Sequence, residues 1–287
     1  MAEDHAPSFA ELAELLRAEH KLLGASFVRS ELRDFEYVAR YQELESEVDV
    51  FTSGAALADL TGLASILVSG QPAEALATMA FAGRKLGVGE VSFEGVVSGD
   101  GSLLGAPLLA RTGDREFVVL ELSDRAETVY SWLGFLAAIE QGGQAPFDGV
   151  ETSDMSTRLV PLLMAGPAAR TVLLDYIRQD TLPDAGQATT LMLDSIHCLA
   201  IGLPVQTPAW LVMVPPQAAR ILWRSFLSFP VVTPVGRQAV GAWLARQLAW
   251  YALLSGTDRI KLPARELRSY GLVRPGSDFV GARSLAS

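Results

Sequence analysis

Residues 195–257 read SIHCLAIGLPVQTPAWLVMVPPQAARILWRSFLSFPVVTPVGRQAVGAWLARQLAWYALLSGT. This stretch contains no Asp or Glu, and its charged side chains are Arg220, Arg224, Arg237 and Arg246. It also holds four of the five tryptophans of the chain, Trp210, Trp223, Trp243 and Trp250. Burying apolar surface is worth about 25 cal/mol per Å². We therefore expect this stretch to be covered, either by its own chain or by another one.

The charge of the chain is unevenly distributed along its 287 residues. The net charge is −10. Residues 1–216 carry 13 Lys and Arg against 30 Asp and Glu, whereas residues 217–287 carry 10 against 3. Such asymmetry indicates an interaction surface, and the basic end can meet phosphate or the acidic face of a second copy. It can equally fold back onto the acidic body of its own chain.

Composition also bears on the compartment. The chain has 49% hydrophobic residues, a mean hydropathy of +0.26 and one cysteine, Cys198, so no internal disulfide can form. The first residues, MAEDHAPSF, are acidic and lack the apolar run of a secretory signal. Residues 195–219 are uncharged, but four prolines interrupt them, which argues against a membrane-spanning helix. These features predict a cytoplasmic protein without a transmembrane span.

Local patterns predict several elements in the first half. Ser8 and Glu11 have the spacing of a capping box, which predicts a helix to about Leu23. The acids of residues 43–49 alternate with other residues and predict a strand with one acidic face. Two alanine-rich segments, 53–68 and 72–86, predict a helical hairpin.

A β-meander is the next predicted feature. Apolar runs at 91–97, 103–109 and 117–122 are separated by the turn sequences Ser98-Gly-Asp-Gly101 and Thr112-Gly-Asp114. A helix over 123–139 follows, and a Gly/Pro/Asp-rich segment then suggests a boundary. We expect an acidic region, 1–145, and a mainly helical region with a basic end, 146–287, which can also form one continuous domain.

The second half is predicted to be helical. Helices are expected at 154–164, 167–179, 187–200 and 216–229, with a short strand at 207–214 and the longest helix at 236–254. The sequence thus predicts an α+β fold that is mainly helical, with a small antiparallel meander in its first half.

No recognisable catalytic, cofactor or metal motif is present. Gly99, Gly101 and Gly105 lie between predicted strands rather than before a helix, so they indicate a hairpin turn and not a dinucleotide site. The three histidines are His5, His20 and His197. His197 has Asp194 one helical turn away, which predicts a buried or half-buried histidine held by a carboxylate rather than a metal ligand. Cys198 is expected to be an inert core thiol.

We expect a non-enzymatic protein that self-associates or joins a complex, such as a shell or capsid-like subunit. The apolar second half would then pack on other chains. An enzyme whose site comes from residues scattered along the sequence is not excluded, and the scarcity of His and Cys would favour a carboxylate or cofactor mechanism. The predicted assembly residues are Trp223, Val240, Trp243, Leu244, Trp250, Tyr251 and Phe279.

The alternative is a nucleic-acid-binding protein. Residues 236–274 have the order of helix, short strand, short helix and glycine turn, which is the first half of a winged helix-turn-helix. Only 11 residues follow Pro275-Gly276, too few for a full recognition helix and wing. The predicted phosphate contacts are Arg259, Lys261, Arg265, Arg268 and Arg274.

Overall fold

The computed structural model describes residues 7–30, 35–140, 142–256 and 258–286. About 32% of the chain is helical and 28% is strand, arranged in large mixed and antiparallel sheets. The prediction of a mainly helical fold with a helical second half is therefore wrong. The main reason is that several apolar segments predicted as helices are buried strands.

The elements are numbered in chain order. The helices are α1 (Phe9–Leu22), α2 (Leu44–Ser53), α3 (Ala73–Ala80), α4 (Ala126–Ala137), α5 (Ala169–Asp175), α6 (Pro216–Leu227), α7 (Arg237–Gln247), a 3-10 helix (Tyr251–Leu254), α8 (Ala264–Ser269) and α9 (Ala282–Ala286). The strands are β1 (Ser26–Arg29), β2 (Glu36–Arg40), β3 (Ala55–Asp59), β4 (Ala64–Ser69), β5 (Val91–Phe93), β6 (Val96–Val97), β7 (Leu103–Gly105), β8 (Leu108–Gly113), β9 (Glu116–Glu121), β10 (Glu151–Asp154), β11 (Val160–Ala165), β12 (Ala188–Leu193), β13 (Ile196–Gly202), β14 (Ala209–Val214) and β15 (Val232–Pro234).

The chain forms two compact units, each built from two segments. The first unit comprises Met1–Leu63 and Ser156–Leu248, and the second comprises Ala64–Met155 and Ala249–Ser287. The division into 1–145 and 146–287 was drawn from composition along the sequence, and it stays a prediction.

A six-stranded sheet with the order β12-β13-β14-β11-β3-β15 forms the centre of the first unit. Its strands pair antiparallel, except that β15 lies parallel to β3. Every side chain of β11 and β14 is buried. Strands covered on both faces need continuous apolar sequences, which is why these two strands lack an alternating pattern. Helices α1, α5 and α6 contribute to one core, with Leu16, Leu173 and Trp223 among their buried side chains.

The second unit contains a five-stranded antiparallel sheet with the order β10-β4-β9-β8-β5 and the two-stranded sheet β6-β7. The predicted antiparallel pairing over 91–122 is confirmed, and β4 and β10 extend that sheet. Helices α3 and α4 pack on a core that includes Leu76, Val119 and Leu133.

Segment 53–68 is not a helix. It contains β3, which lies in the sheet of the first unit, and β4, which lies in the sheet of the second unit. The alanines Ala55, Ala56 and Ala58 are at most 1% exposed. Alanine favours helices only weakly against tertiary packing, and neighbouring strands supply partners for both edges of β3.

Residues 43–50 are also different from the prediction, because they lie mainly in α2 rather than in a strand. Glu47 points inward and is 1% exposed. Its carboxylate accepts hydrogen bonds from the backbone nitrogens of Tyr41, Gln42 and Gly236. A carboxylate satisfied in this way can be buried, which the alternation of acids alone does not reveal.

In the second half, two segments that were predicted as helices contain strands instead. Segment 154–164 holds the last residue of β10 and most of β11, and segment 187–200 holds β12 and most of β13. The helix predicted over 236–254 ends at Gln247, and a 3-10 helix follows. The predicted strand at 207–214 and the helix at 216–229 are confirmed as β14 and α6. The capping box of Ser8 and Glu11 at the start of α1 is confirmed as well.

None of the helices within the described ranges has the length and apolarity needed to cross a bilayer.

Candidate active site

Glu121 is a buried acid at the end of β9 in the second unit. The four central residues of β9 are apolar, and Glu121 is its last residue, with 3% of its surface exposed. Buried carboxyl groups are rare unless they are paired, so each one calls for an explanation of its hydrogen bonds.

One oxygen of this carboxyl is satisfied and the other is open. Oε1 accepts from the backbone nitrogen of Ser123 at 3.0 Å and from its hydroxyl at 2.7 Å. Oε2 is buried and has no hydrogen-bond partner of good geometry among the described residues, although the backbone N–H of Ala106 acts on the carboxyl and lowers its pKa. The β9–α4 turn therefore holds one oxygen of the carboxyl in place, and the other oxygen is the less well satisfied of the two.

Gly105, the last residue of β7, explains how Oε2 fits. A Cβ at this position would lie 3.1 Å from Glu121 Oε2 and 2.6 Å from Val129 Cγ2. Any larger residue would therefore push against Val129 and crowd the open oxygen. The glycine is required by the close approach of α4 to this strand.

Arg125 is the charged neighbour of Glu121, but it is directed elsewhere. It is 3% exposed and stands at the start of α4. Its Nε donates to the Leu254 carbonyl oxygen at 3.3 Å, and its Nη2 donates to the Asp258 carbonyl oxygen at 2.7 Å. The guanidinium is thus bound to backbone carbonyl oxygens, and its positive charge lowers the pKa of the Glu121 carboxyl.

The environment of Glu121 brings the pKa of its carboxyl into the range that is useful for proton transfer. Burial raises the pKa of Glu121 to about 7, and the hydrogen bonds from Ser123 oppose that rise. A carboxyl with a pKa near neutral can act both as a proton donor and as a proton acceptor. Perturbed carboxyls of this kind are enriched at active sites.

Glu94 is a second buried acid of the same unit. It is fully buried, and neither of its carboxylate oxygens has a hydrogen-bond partner of good geometry among the described residues. It occupies the space that a side chain at Gly83 would need, since a Cβ there would lie 1.8 Å from Glu94 Oε2. Burial raises the pKa of Glu94 to about 8, against smaller lowering effects from Ser92 and Arg274.

The sheet places the two acids at the same end. Phe93 pairs with Leu108, and Leu108 pairs with Leu120. The next residues along are Glu94, whose nitrogen donates to the Pro107 carbonyl oxygen at 2.9 Å, and Glu121. Two strand spacings of about 4.8 Å separate the strands that carry the acids, so their backbones lie roughly 10 Å apart.

The first unit contains a different polar cluster, built around His20 of α1. His20 Nε2 lies 2.9 Å from Asp59 Oδ2, and its Nδ1 lies 2.7 Å from the Tyr41 hydroxyl. Asp59 Oδ1 accepts from the nitrogen and the hydroxyl of Thr61 at 2.8 and 2.6 Å. The edge of the His20 ring packs against Trp223, with 4.9 Å between the ring centroids.

In this cluster, both ring nitrogens of His20 and both carboxylate oxygens of Asp59 are hydrogen-bonded. Burial would raise the pKa of Asp59, but the hydrogen bonds and charge of His20 and the hydrogen bonds of Thr61 outweigh it, so the pKa is lowered. The adjoining cavity is about 10 Å³, enough for a water molecule at most. The cluster therefore ties α1 to β3 and does not offer an open reactive atom.

The predicted assembly residues lie mostly in the protein core. Six of them are at most 7% exposed, and Tyr251 is half-buried. Trp243 stacks on Phe51 with 4.6 Å between ring centroids. The buried six are Trp223, Val240, Trp243, Leu244, Trp250 and Phe279. The apolar second half is thus covered within the chain's own units.

The predicted phosphate contacts do not form one cluster of partnerless bases. Arg259 and Lys261 each lie 3.5 Å from Asp100, and Arg265 and Arg268 are exposed on α8. Arg274 donates to the carbonyl oxygens of Thr78, Phe81 and Gly83, which holds the C-terminal segment against the end of α3. The described residues of segment 236–274, which leave out position 257, form an isolated bridge at Ile260 and no β-hairpin wing.

The remaining residues that the sequence singled out are not brought together. His197 is exposed on β13, so the prediction that a carboxylate holds it half-buried is wrong, and Asp194 lies beside Arg178 instead. Burial raises the pKa of the Cys198 thiol to about 12. His5 lies outside the described residues. Among the described residues, no three His, Cys, Asp or Glu side chains approach each other as metal ligands would.

No sequence motif marks Glu94, Glu121, Asp59 or His20 as a site. A usable signal existed for the acids, because each interrupts an apolar run: Phe93-Glu94-Gly95, Leu120-Glu121-Leu122 and Leu57-Ala-Asp59. An acid inside a predicted buried strand either has partners or has a function.

A family model and several solved structures are similar to this chain. Residues 16–241 match the family model of the GCVT N-terminal domain. The glycine cleavage system aminomethyltransferase T from Bartonella henselae superposes with a TM-score of 0.75 at 18% identity, covering 95% of this chain and 73% of that one. Heterotetrameric sarcosine oxidase from Corynebacterium sp. U-96 gives a TM-score of 0.47 at 17% identity, covering 77% and 93%. No curated protein matches the chain.

These findings overturn the predicted functions. The matched family model and the aminomethyltransferase fold contradict a non-enzymatic shell or capsid-like subunit, and they contradict the nucleic-acid-binding alternative. The physical error was to treat an acid-free, apolar half as a surface, when its strands and helices form the core of the chain's own units.

Proposed function

This chain belongs to the family of the GCVT N-terminal domain, and from that premise we propose that it is an enzyme that transfers an aminomethyl group. The similar solved structure is that of an aminomethyltransferase, which supports this choice of reaction. The observation that carries the proposal is the buried Glu121 carboxyl with one oxygen held by Ser123 and one oxygen open.

The reaction requires two proton movements. The bond between the methylene carbon and its donor atom breaks with the electron pair leaving on the donor atom, which then needs a proton. A nucleophilic nitrogen or sulfur of the acceptor forms the new bond to the carbon and releases a proton. Protonated Glu121 gives its proton to the donor atom and regains one from the acceptor, so the carboxyl ends as it began.

The local charge favours an amine-bearing substrate. An N–H group of the substrate can donate to Oε2 once the carboxyl has given up its proton, and a nearby amine stabilises the carboxylate formed in that step. Arg125 directs two of its nitrogens to backbone carbonyls. The site is thus suited to the amino end of a substrate rather than to a carboxylate.

The test uses a panel of small aminomethyl compounds labelled with 13C at the methylene carbon, each mixed with amine or thiol acceptors. We expect 13C NMR to show the label leaving the donor resonance and appearing in a new adduct. Glu121→Gln should slow this transfer by about 10²-fold or more, since it removes the acid–base group.

Glu151→Gln is the matched control, because it removes the same charge from an exposed position of the same sheet. The rate should fall as the pH rises above the pKa of Glu121, about 7, because the step begins with the protonated carboxyl. Equal rates for Glu121→Gln and the wild-type protein, or no transfer with any donor, would contradict the proposal.

Two further expectations accompany this function. A cytoplasmic location and self-association stay predictions, and the mass of the protein in solution at micromolar concentration tests the second. A monomer would contradict self-association without affecting the proposed chemistry.

A further inference from the structure

The Glu121 carboxyl is enclosed, so a substrate cannot reach it in the structure as it stands. Glu121 is 3% exposed, and even one added carbon at Gly105 would lie 2.6 Å from Val129 Cγ2. Close packing of this kind leaves no room for a ligand beside Oε2. If Glu121 reacts with a small molecule, part of its cover must move.

The segment 249–256, which we call the closing segment, lies against the end of β9 and the start of α4. The Tyr251 hydroxyl donates to the Leu122 carbonyl oxygen at 2.7 Å, directly after Glu121 in the chain. Burial raises the pKa of Tyr251, and the charge of the Glu121 carboxyl raises it further. The closing segment therefore lies against the turn that leaves β9 directly after Glu121.

Side chains, rather than a backbone ladder, hold the closing segment in its unit. The Leu254 carbonyl oxygen accepts from Arg125 Nε at 3.3 Å, and the Asp258 carbonyl oxygen, just beyond the segment, accepts from Arg125 Nη2 at 2.7 Å. The backbone hydrogen bond from Leu253 N to the Trp250 carbonyl oxygen is local to the segment, as are the bonds within its 3-10 helix. Segments tied in this way open more readily than strands paired in a sheet.

Apolar contacts complete the closure. The Trp250 ring packs edge-on against Phe93, with 5.3 Å between their centroids, and Trp250 is 3% exposed. Leu254 is fully buried, whereas Leu253 on the other side of the 3-10 helix is 39% exposed. The segment thus has one buried face that can lift as a short body, with Tyr251 and Arg125 providing its polar attachments.

We propose that the closing segment is a lid over Glu121, which Tyr251 and Arg125 hold shut and which opens to admit an amine-bearing substrate. The proposal rests on the proposed function for the identity of the substrate, but the opening itself is a property of the chain. Tyr251 and Arg125 act here as positioning residues, because they contact the backbone of the lid and of β9 and not the reacting atoms.

Carboxyl labelling tests the opening without any transfer reaction. A water-soluble carbodiimide with glycine ethyl ester converts an accessible carboxyl into an amide, while the carbodiimide takes up the oxygen and becomes a urea. Peptide mass spectrometry then gives the labelling rate of Glu121. Glu47, which is 1% exposed in the first unit, serves as the internal reference for a buried carboxyl.

Tyr251→Phe removes one hydrogen bond and keeps the ring. We expect it to speed the labelling of Glu121 by about 2- to 10-fold, the range that corresponds to the loss of one ordinary hydrogen bond. Arg125→Lys, which cannot reach both carbonyl oxygens, should speed it at least as much. Backbone amide exchange over 249–256 should rise in both variants, and the labelling of Glu47 should not change.

Tyr130→Phe is the control, since Tyr130 is a tyrosine of α4 that is 37% exposed. The lid is contradicted if Glu121 in Tyr251→Phe is labelled no faster than in wild type and Tyr130→Phe. Faster labelling of Glu47 together with Glu121 would indicate general loosening and would contradict it equally. If labelling responds as expected but no aminomethyl donor reacts, the lid stands and the proposed function fails.

Discussion

The His20–Asp59 cluster of the first unit has a partner for each of its polar side-chain atoms, whereas the second unit buries two acids with oxygens that lack a hydrogen bond of good geometry. Both ring nitrogens of His20 and both oxygens of Asp59 have partners within 2.9 Å. By contrast, one oxygen of Glu121 and both oxygens of Glu94 have no hydrogen-bond partner of good geometry among the described residues. The pKa of Asp59 is lowered, while those of Glu121 and Glu94 are raised.

This difference separates a structural cluster from the cluster that we propose to be reactive. A fully hydrogen-bonded network stabilises the fold only as long as each member keeps its partner. The removal of one member is therefore costly, and the network has no unpaired atom that could react. An unsatisfied acid reduces stability at neutral pH, and such a cost is commonly found at sites that act on a ligand. The following changes test this contrast.

Removal of Asp59 should have the largest effect on stability. Asp59→Ala leaves His20 and Thr61 buried without their acceptor, and we expect the free energy of unfolding to fall by about 3–5 kcal/mol. Urea unfolding followed by circular dichroism measures it. Asp49→Ala, at an exposed position of α2, should change it by no more than about 0.5 kcal/mol. A small loss for Asp59→Ala would remove the distinction between the two clusters.

Glu94 should give the largest dependence on pH. Its pKa is about 8 in the folded chain against 4.5 as the ordinary value. The stability that the protonated group contributes is present in full below pH 4.5 and is lost as the pH rises through about 8. Glu94→Gln cannot ionise, so relative to wild type it should gain stability on the order of a few kcal/mol between pH 4 and pH 9.

The contribution of Glu121 to stability should depend on pH in the same direction as that of Glu94, but less strongly. Its pKa of about 7 places the loss of stability between pH 4.5 and about 7. Glu121→Gln should therefore unfold at a higher temperature than wild type at pH 8, and the difference should shrink at pH 4. An opposite slope, with wild type gaining on Glu121→Gln as the pH rises, would show that the carboxyl is stabilised as an anion.

Tyr41 provides a smaller test of the satisfied cluster. Tyr41→Phe removes the hydrogen bond to His20 Nδ1 and leaves the ring in place. We expect a loss of about 1 kcal/mol in urea unfolding at pH 7. Tyr130→Phe, at an exposed position, should be neutral within error, and an equally neutral Tyr41→Phe would mean that solvent replaces the bond.

An exposed ion pair should show the smallest effect. Arg246 lies 2.9 Å from Glu45, with 54% and 74% of the side chains exposed. Arg246→Ala should cost less than about 0.5 kcal/mol, because exposed pairs gain little in water. A loss as large as that of Asp59→Ala would mean that burial does not set the scale of polar contributions here.

Local sequence signals predicted the elements that depend on nearby residues. Ser8 and Glu11 cap α1, Ser98–Gly101 makes a turn, and Pro216 opens α6, because each acts within a few residues of itself. The alanine-rich segment 53–68 was misassigned because alanine fits a helix and a crowded strand alike, and only the neighbours β11 and β15 decide between them.

The candidate site was predictable in kind but not in place. The shortage of His and Cys directs attention to carboxylates as the acid–base groups of any mechanism. The residues near Glu121 in the sequence do not predict that Gly105 and Tyr251, which lie 16 and 130 positions away, belong to its surroundings. Burial, and with it the rise in pKa, comes from these distant neighbours.

By itself the sequence determined the uneven charge, the apolar second half, and the caps and turns that start and end several elements, because these depend on composition and on short-range geometry. Only the tertiary structure decided that the tryptophans and apolar strands are enclosed within the chain's own units. It also decided which acids keep an open oxygen, because desolvation and hydrogen bonding depend on segments that meet only after folding.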